Sequence, residues 1–327
     1  MTDTQITQKI PNAEISTEVK TKRLNPAQMY LLRMNTEQSR IRVAYLADTI
    51  ARIFGAKNYL ECDWSQMRRE HVLLVIGLYE KKGAAPATIN LLVAIMRGIA
   101  EEAWNLRLID DHEYSIIRNV KNVRGSRESA GRALSNIEVS RLFALCDANP
   151  TVRTTRDAAV LALGLGCGLR RAEIIGLKLS GIHTEDQSIS VIGKGNKERR
   201  IYCSSSVWER LDAWLQLRGN EGVPHVFCRL IHGAVKKQNK TSYLDTEHSL
   251  TLNNIYMILH GFEKHLPQGK HFSPHDLRRT YATRLFEQGE DIDTVRRAMG
   301  HSSVVTTQKY DKRSEEGVRR ATRKIQL

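Results

Sequence analysis

Midway along the chain, residues 119–132 read NVKNVRGSRESAGR, a basic stretch with Gly and Ser and almost no large apolar side chain. Such a composition reads as a linker between two domains. The 327 residues are ample for a separate core on each side of it. The longest apolar run, from Ala158 to Leu169, holds three glycines and falls well short of the ~20 residues that span a bilayer.

Charge narrows the partners. Lys and Arg number 50 against 36 for Asp and Glu, a formal net charge of +14, with a pI near 9.7. A basic chain of this size points to an anionic partner, most commonly nucleic acid. The five cysteines (Cys62, Cys146, Cys167, Cys203, Cys228) are odd in number, scattered and without a paired motif, which argues for a reducing compartment rather than a disulfide framework. The polar N-terminus carries no signal-like apolar stretch. A cytoplasmic protein with no membrane partner is expected, nucleoid-associated if its anionic partner is DNA.

Residues 1–25 are polar and aperiodic and read as a flexible arm. Three helices are predicted next, over about 36–54, about 65–82 with Gly83 as a stop signal, and from Pro86 onward, where Ile89, Leu92, Val93, Met96, Ile99 and Ala103 form one apolar stripe. Together, residues 26–118 make a helical domain. After the linker at 119–132, residues 133–327 form the second domain. There Ser135 and Glu138 carry a capping-box signature, and a helix around Arg156 to Leu165 leads to a Cys-Gly-Leu-Arg-Arg turn. SISVIGKGNKERRIYC alternates like a β-hairpin turning at 193–196. Residues 223–250 are poorly patterned, and mostly helix follows. The fold class is therefore mainly α with a small antiparallel sheet in the C-terminal domain.

HDLRRTYATR, residues 275–284, sets His275 and Arg278 three apart, on one face of a helix that Ser273-Pro274 would start. Four other patches stand out: GLRRAE at 168–173, GKGNK at 193–197, GHS at 300–302 and TTQKY at 306–310. With these five patches in order, and Tyr310 nine positions after His301, the chain resembles the tyrosine site-specific recombinases, the phage integrase and Xer-like family. The resemblance covers about residues 26–315. It implies that 26–118 is a core-site DNA-binding domain and 133–327 a catalytic domain, the two forming a clamp.

The resemblance also implies the chemistry. A phenol, Tyr310, attacks a backbone phosphate and holds the cut strand as an ester, so no ATP, metal or other cofactor is required. The charged DKR after Tyr310 argues for an exposed side chain. Arg170 and Arg278, permanently charged planar forks, would meet the extra negative charge of the transition state. Lys194 would protonate the leaving oxygen, with Lys197 as the rival for that role and otherwise a DNA contact. His275 would position the phosphate or exchange a proton with Tyr310, and His301 would bond a non-bridging oxygen. Glu173 supports Arg170, while Arg279 and Arg284 face phosphate or solvent.

Expected partners are double-stranded DNA with short inverted core sites, three further copies in a homotetramer on synapsed DNA, and accessory proteins. A C-terminal tail with Val318, Ala321 and Ile325 on one face would dock on a neighbouring protomer. The arm at 1–25 and the segment at 223–250 depart from housekeeping Xer proteins and favour a mobile-element role. Two other readings stay open: a non-catalytic helix-turn-helix regulator built on 290–310, and a type IB topoisomerase. His225, Cys228 and His232 have ligand-like spacing, but with no fourth ligand nearby zinc is not expected.

Overall fold

The computed structural model describes residues 25–125, 131–193, 197–232, 242–266, 271–311 and 322–323. The chain divides into two compact units, Met1–Glu128 and Ser129–Leu327. No helix among the described residues is long and apolar enough to cross a membrane.

The regular elements among the described residues of the first unit are all helices. Helix α1 (Pro26–Leu32) is capped by Asn25, whose side chain accepts from the amides of Ala27 and Gln28. Helix α2 (Glu37–Ile53) starts on a Thr36 cap, close to its predicted bounds. Helix α3 (Arg69–Lys81) is shorter than predicted. Asp63 caps a separate 3-10 turn, Trp64–Gln66, and extended backbone at Met67 and Arg68 divides that turn from the helix. Gly83, at φ +66°, follows where a stop was predicted. Helix α4 (Pro86–Asn105) presents the predicted stripe, and all six of its residues are at most 1 % exposed. Helix α5 (Asp111–Arg118) completes the unit. Helices α1 and α5, of 7 and 8 residues, span only about two turns each, too few for a stripe to repeat, and so escaped the pattern.

The second unit is built around a buried helix. Helix α6 (Asn136–Asp147) carries the predicted capping box of Ser135 and Glu138. Helix α7 (Val152–Gly166) is buried on every face from Arg156 to Leu165, which is why its sequence shows an apolar run rather than a stripe. A Cβ at Gly164 would stand 2.7 Å from Leu277, so this glycine lets a later helix lie directly on α7. Helix α8 (Arg171–Gly176) follows the turn. Strands β1 (Ile182–His183), β2 (Ser188–Ile192) and β3 (Glu198–Tyr202) form an antiparallel sheet in that order, with Ile189 opposite Ile201.

Helix α9 (Ser205–Arg218) packs on α7. The unpatterned segment at 223–250 proves to hold a second ribbon, β4 (Cys228–His232) with β5 (Ser242–Ser249), whose register shifts between Cys228 and Arg229. That irregularity and the polar β5 sequence hide the alternation a strand normally shows. Helices α10 (Leu252–Glu263), α11 (Pro274–Glu287), α12 (Ile292–Met299) and α13 (Val304–Gln308) follow. Residues 1–24, the GKGNK positions 194–196 and the tail positions Val318, Ala321 and Ile325 lie outside the described residues.

Candidate active site

The site forms where the C-terminal end of α7, the head of α11 and the turn after α12 converge. Helix α11 starts as the sequence predicts: Ser273 and Asp276 make a capping box and Pro274 occupies the first turn. This sets His275 at the exposed head of the helix, with Arg278 one turn further and 1 % exposed. The Arg278 guanidinium spans two elements that are distant in sequence. Its Nη1 donates to the carbonyl of Gly168 after α7, and its Nη2 donates to the carbonyl of Met299 at the end of α12. Gly168 holds φ +60°, a left-handed conformation that turns its carbonyl to this use.

Arg170 caps α8, and Glu173 lies beneath it, 2 % exposed in its side chain. One carboxylate takes four hydrogen bonds. Oε1 accepts from Arg170 Nη1 at 2.8 Å and Arg199 Nη1 at 2.9 Å, and Oε2 accepts from the Arg170 amide at 2.8 Å and Arg199 Nη2 at 2.9 Å. Burial acts to raise the Glu173 pKa, but the Arg199 and Arg170 hydrogen bonds outweigh it and hold the carboxyl at about 2. Arg170 Nη2 also reaches the Gly300 carbonyl at 3.3 Å.

Tyr310 Oη is 2.9 Å from His275 Nε2. In contrast to the exposed side chain expected from its charged neighbours, Tyr310 is only 6 % exposed. Its ring packs with Ala282, Phe286, Val295 and Met299, because the groove between α11 and α12 offers more apolar contact than solvent does. Arg279, expected to face phosphate or solvent, is 7 % exposed, with its guanidinium 5.7 Å from the Tyr310 ring and 3.7 Å from Asp276. Two adjacent arginines on one helix are both covered here because α11 is enclosed on more than its α7 side. Arg284 donates to Asn136 at 2.8 Å, at the edge of the unit.

His301 is 7 % exposed, and its Nδ1 lies 2.9 Å from the buried hydroxyl of Thr307. A threonine hydroxyl donating to Nδ1 leaves the ring proton on Nε2. Burial, then the Arg278 and Arg170 guanidiniums, lower the His301 pKa to about 4, so the ring is a neutral donor at pH 7. Partial enclosure, then Arg279 and Arg278, lower that of His275 as well, although the residue still meets solvent. A neutral His275 with its proton on Nδ1 can accept the phenol proton at Nε2. Burial, then Arg170, lower the Arg278 pKa to about 10. Cations are thus gathered here in excess of the carboxylates Glu173 and Asp276, an electrostatic arrangement awaiting an anion.

Beside His301 opens a cavity of about 900 Å³ lined by Arg170, Lys197, Arg199, Arg296, Arg297 and Ser302. Lys197 is exposed on its rim. Lys194 lies outside the described residues. The structure therefore brings together Arg170, Glu173, His275, Arg278, His301 and Tyr310, with Arg279 behind them. It adds Arg199 and Thr307, which the sequence reading missed. Arg199 shares the inward face of β3 with Ile201, and an arginine at an apolar position of an alternating strand was the available signal. Thr307 stands inside the TTQKY patch, where the sequence alone gave it no role.

The second helix of the regulator reading, α13, has only 5 residues, short for a helix that reads a groove. Cys228 is buried, with Sγ 3.9 Å from the His225 carbonyl. Among the described residues no group of three His, Cys, Asp or Glu is placed to hold a metal.

Residues 132–316 match the phage integrase family. Among curated relatives, the chain is 28 % identical over 258 residues to tyrosine recombinase XerC of Treponema denticola, covering 77 % of this chain and 81 % of that one. It is 29 % identical over 243 residues to tyrosine recombinase XerC of Shewanella putrefaciens, covering 74 % of each. Among solved structures it resembles the Tn1549 transposon integrase in complex with circular intermediate DNA, at TM-score 0.64 and 16 % identity over 91 % of this chain and 99 % of that one. A lambda integrase dimer bound to a core site is similar at TM-score 0.61 and 15 % identity, over 88 % and 94 % of the two chains.

Proposed function

The chain belongs to the phage integrase family, and from that premise we propose that it is a site-specific DNA recombinase acting through a 3′-phosphotyrosyl intermediate and a Holliday junction. Tyr310 Oη attacks the scissile phosphorus. The Oη–P bond forms as the P–O5′ bond breaks, and the phenolic proton passes to His275 Nε2. Arg170 and Arg278 stabilise the charge that builds on the non-bridging oxygens, and His301 donates its Nε2 proton to one of them. The leaving O5′ takes a proton from Lys194, a role that rests on the family resemblance. The 5′-hydroxyl of a partner strand then reverses these steps on a new strand. Energy stays in the ester, so neither ATP nor metal enters.

The observation that carries this reading is the 2.9 Å approach of Tyr310 Oη to His275 Nε2 in the same pocket as the Arg278 guanidinium. Preorganised donors of this kind are each worth about 10²–10³ in rate, and a phenol held against a neutral base is arranged for attack on phosphorus.

DNA is the partner, with affinity that falls as salt rises because the contacts are to phosphate. Two protomers on each pair of short inverted sites and four in the synapse complete the proposal. Residues 26–118 serve as the core-site domain, 119–132 as the linker and 133–327 as the catalytic domain. A role in a mobile element rests on the departures at 1–25 and 223–250.

The test is incubation with nicked DNA from the protein's own locus, followed by denaturing electrophoresis. A covalent adduct with wild type and none with Tyr310→Phe supports the reading. Tight binding by wild type without any adduct refutes the catalytic part and favours a regulator. Product topology then separates recombination of two sites from simple relaxation of supercoils by a topoisomerase.

A further inference from the structure

Arg199 is an arginine the proposed reaction does not use, yet it touches three parts of the site. Its fork pairs with both oxygens of Glu173, at 2.9 Å each. Its guanidinium lies against Gly300, where an added Cβ would stand 2.9 Å from Cζ and from Nε. It also meets the root of the GKGNK hairpin: a Cβ at Gly193 would stand 3.3 Å from Arg199 Nη1 and 3.5 Å from Glu173 Oε1. Its side chain is 18 % exposed and its Nε is buried without a hydrogen-bond partner.

The charge count gives this geometry a consequence. With Glu173 shared between two guanidiniums, the trio of Arg170, Arg199 and Glu173 keeps one net positive charge. Without Arg199 the carboxylate would pair with Arg170 alone and the net charge at that point would be zero. Oε2 would also be left with only the Arg170 amide and would be free to draw the Arg170 fork into a two-pronged pair. An arginine neutralised and turned inward in this way cannot bond an oxyanion.

Resting on the recombinase reading, we propose that Arg199 is a positioning residue for strand cleavage. It occupies both oxygens of Glu173, so that the Arg170 guanidinium makes one bond to the carboxylate rather than two and keeps its charge for the scissile phosphate. In this role it acts through Glu173 rather than on the DNA phosphate.

The test is a cycle of wild type, Arg199→Ala, Glu173→Gln and the double variant, each read for single-turnover adduct formation on nicked DNA, for DNA Kd and for thermal midpoint. Loss of an orienting partner of this kind costs about 10–100-fold. Arg199→Ala is expected to slow cleavage by that factor while Kd changes by less than about threefold, within the scatter of context effects. Glu173→Gln introduced into Arg199→Ala is expected to recover about tenfold, since the competing carboxylate is gone. Should Arg199→Ala fail to fold, Arg199→Lys and its double variant carry the same prediction, with a smaller loss because the ammonium keeps the charge but not the fork that spans both oxygens.

Unchanged cleavage in Arg199→Ala overturns the proposal. So does a loss in Kd that accounts for the whole effect, which would make Arg199 a DNA contact, or a double variant no faster than Arg199→Ala. If wild type itself forms no adduct while binding the DNA tightly, the recombinase reading fails and this assignment with it.

Discussion

Gly168 gives the sharpest test of how the site is held. It sits at φ +60°, its carbonyl accepts from Arg278, and a Cβ there would stand 3.0 Å from Tyr281 Cε1 and closer still to Cδ1. Consider Gly168→Ala. The left-handed backbone costs about 1–2 kcal/mol for an L-residue, and the stiffer unfolded chain offsets about 0.4–1 of that. Crowding the Tyr281 ring adds about 1–3 kcal/mol, the usual cost of overpacking. The net destabilisation should be about 3 kcal/mol, a large share of the about 5–15 kcal/mol that holds a domain folded.

Gly83→Ala is the matched control. Gly83 has φ +66° with nothing within 4 Å of its Cβ position, so it should lose only the backbone part, about 1 kcal/mol. Chemical denaturation of both variants measures the difference. Covalent cleavage by Gly168→Ala, assayed at a temperature where it is folded, should fall at least about tenfold, because shifting the carbonyl moves Arg278. If Gly168→Ala matches Gly83→Ala within about 0.5 kcal/mol, the Tyr281 contact is not what the turn is built around. If stability falls while cleavage is untouched, the Gly168–Arg278 bond does not position the site.

Other outcomes follow from the same geometry. Tyr310→Phe should abolish the adduct yet cost only about 1 kcal/mol of stability, since it removes a single hydrogen bond, to His275; unfolding of the variant would show the hydroxyl to be structural. His301 is held near 4 in the folded state against 6.5 ordinarily, so its contribution to stability is fully present above pH 6.5 and is lost as pH falls towards 4. That loss is roughly 3 kcal/mol, and a stability–pH curve of His301→Asn should lack it. The cleavage rate should fall as pH drops below the ordinary histidine range and protonates His275, removing the acceptor for the phenol; a rate that rises on acidification would contradict that role. Glu173→Gln, which leaves two guanidiniums facing one amide, should destabilise by about 3 kcal/mol, and by less when Arg199 is already absent; equal losses in both backgrounds would mean the three groups are not coupled.

Much of this was legible in the sequence because it is local. Helix α4 shows its buried stripe at the period of the helix, and Ser135 with Glu138 or Ser273 with Pro274 announces a helix start within a single turn. Alternation around the GKGNK turn is likewise a property of neighbouring residues, and the β2–β3 pairing follows it. The β4–β5 ribbon was not legible, since its shift at Cys228 and Arg229 breaks the alternation that identifies a strand.

The site divides in the same way. Residue type and order, through the family resemblance they carry, picked out the candidate side chains: two arginines, two histidines, a lysine and a tyrosine in five spaced patches. Only the tertiary structure decided how they meet. Arg278 reaches the Gly168 carbonyl across 110 positions of sequence and Tyr310 reaches His275 across 35, contacts that no local pattern encodes. It also decided that Tyr310 is buried rather than exposed, and that Arg199 from β3 shares Glu173 with Arg170. Spacing along a chain sets only the face a side chain occupies. Its burial, its charge partners and the pKa that follows from them depend on which other elements pack against that face.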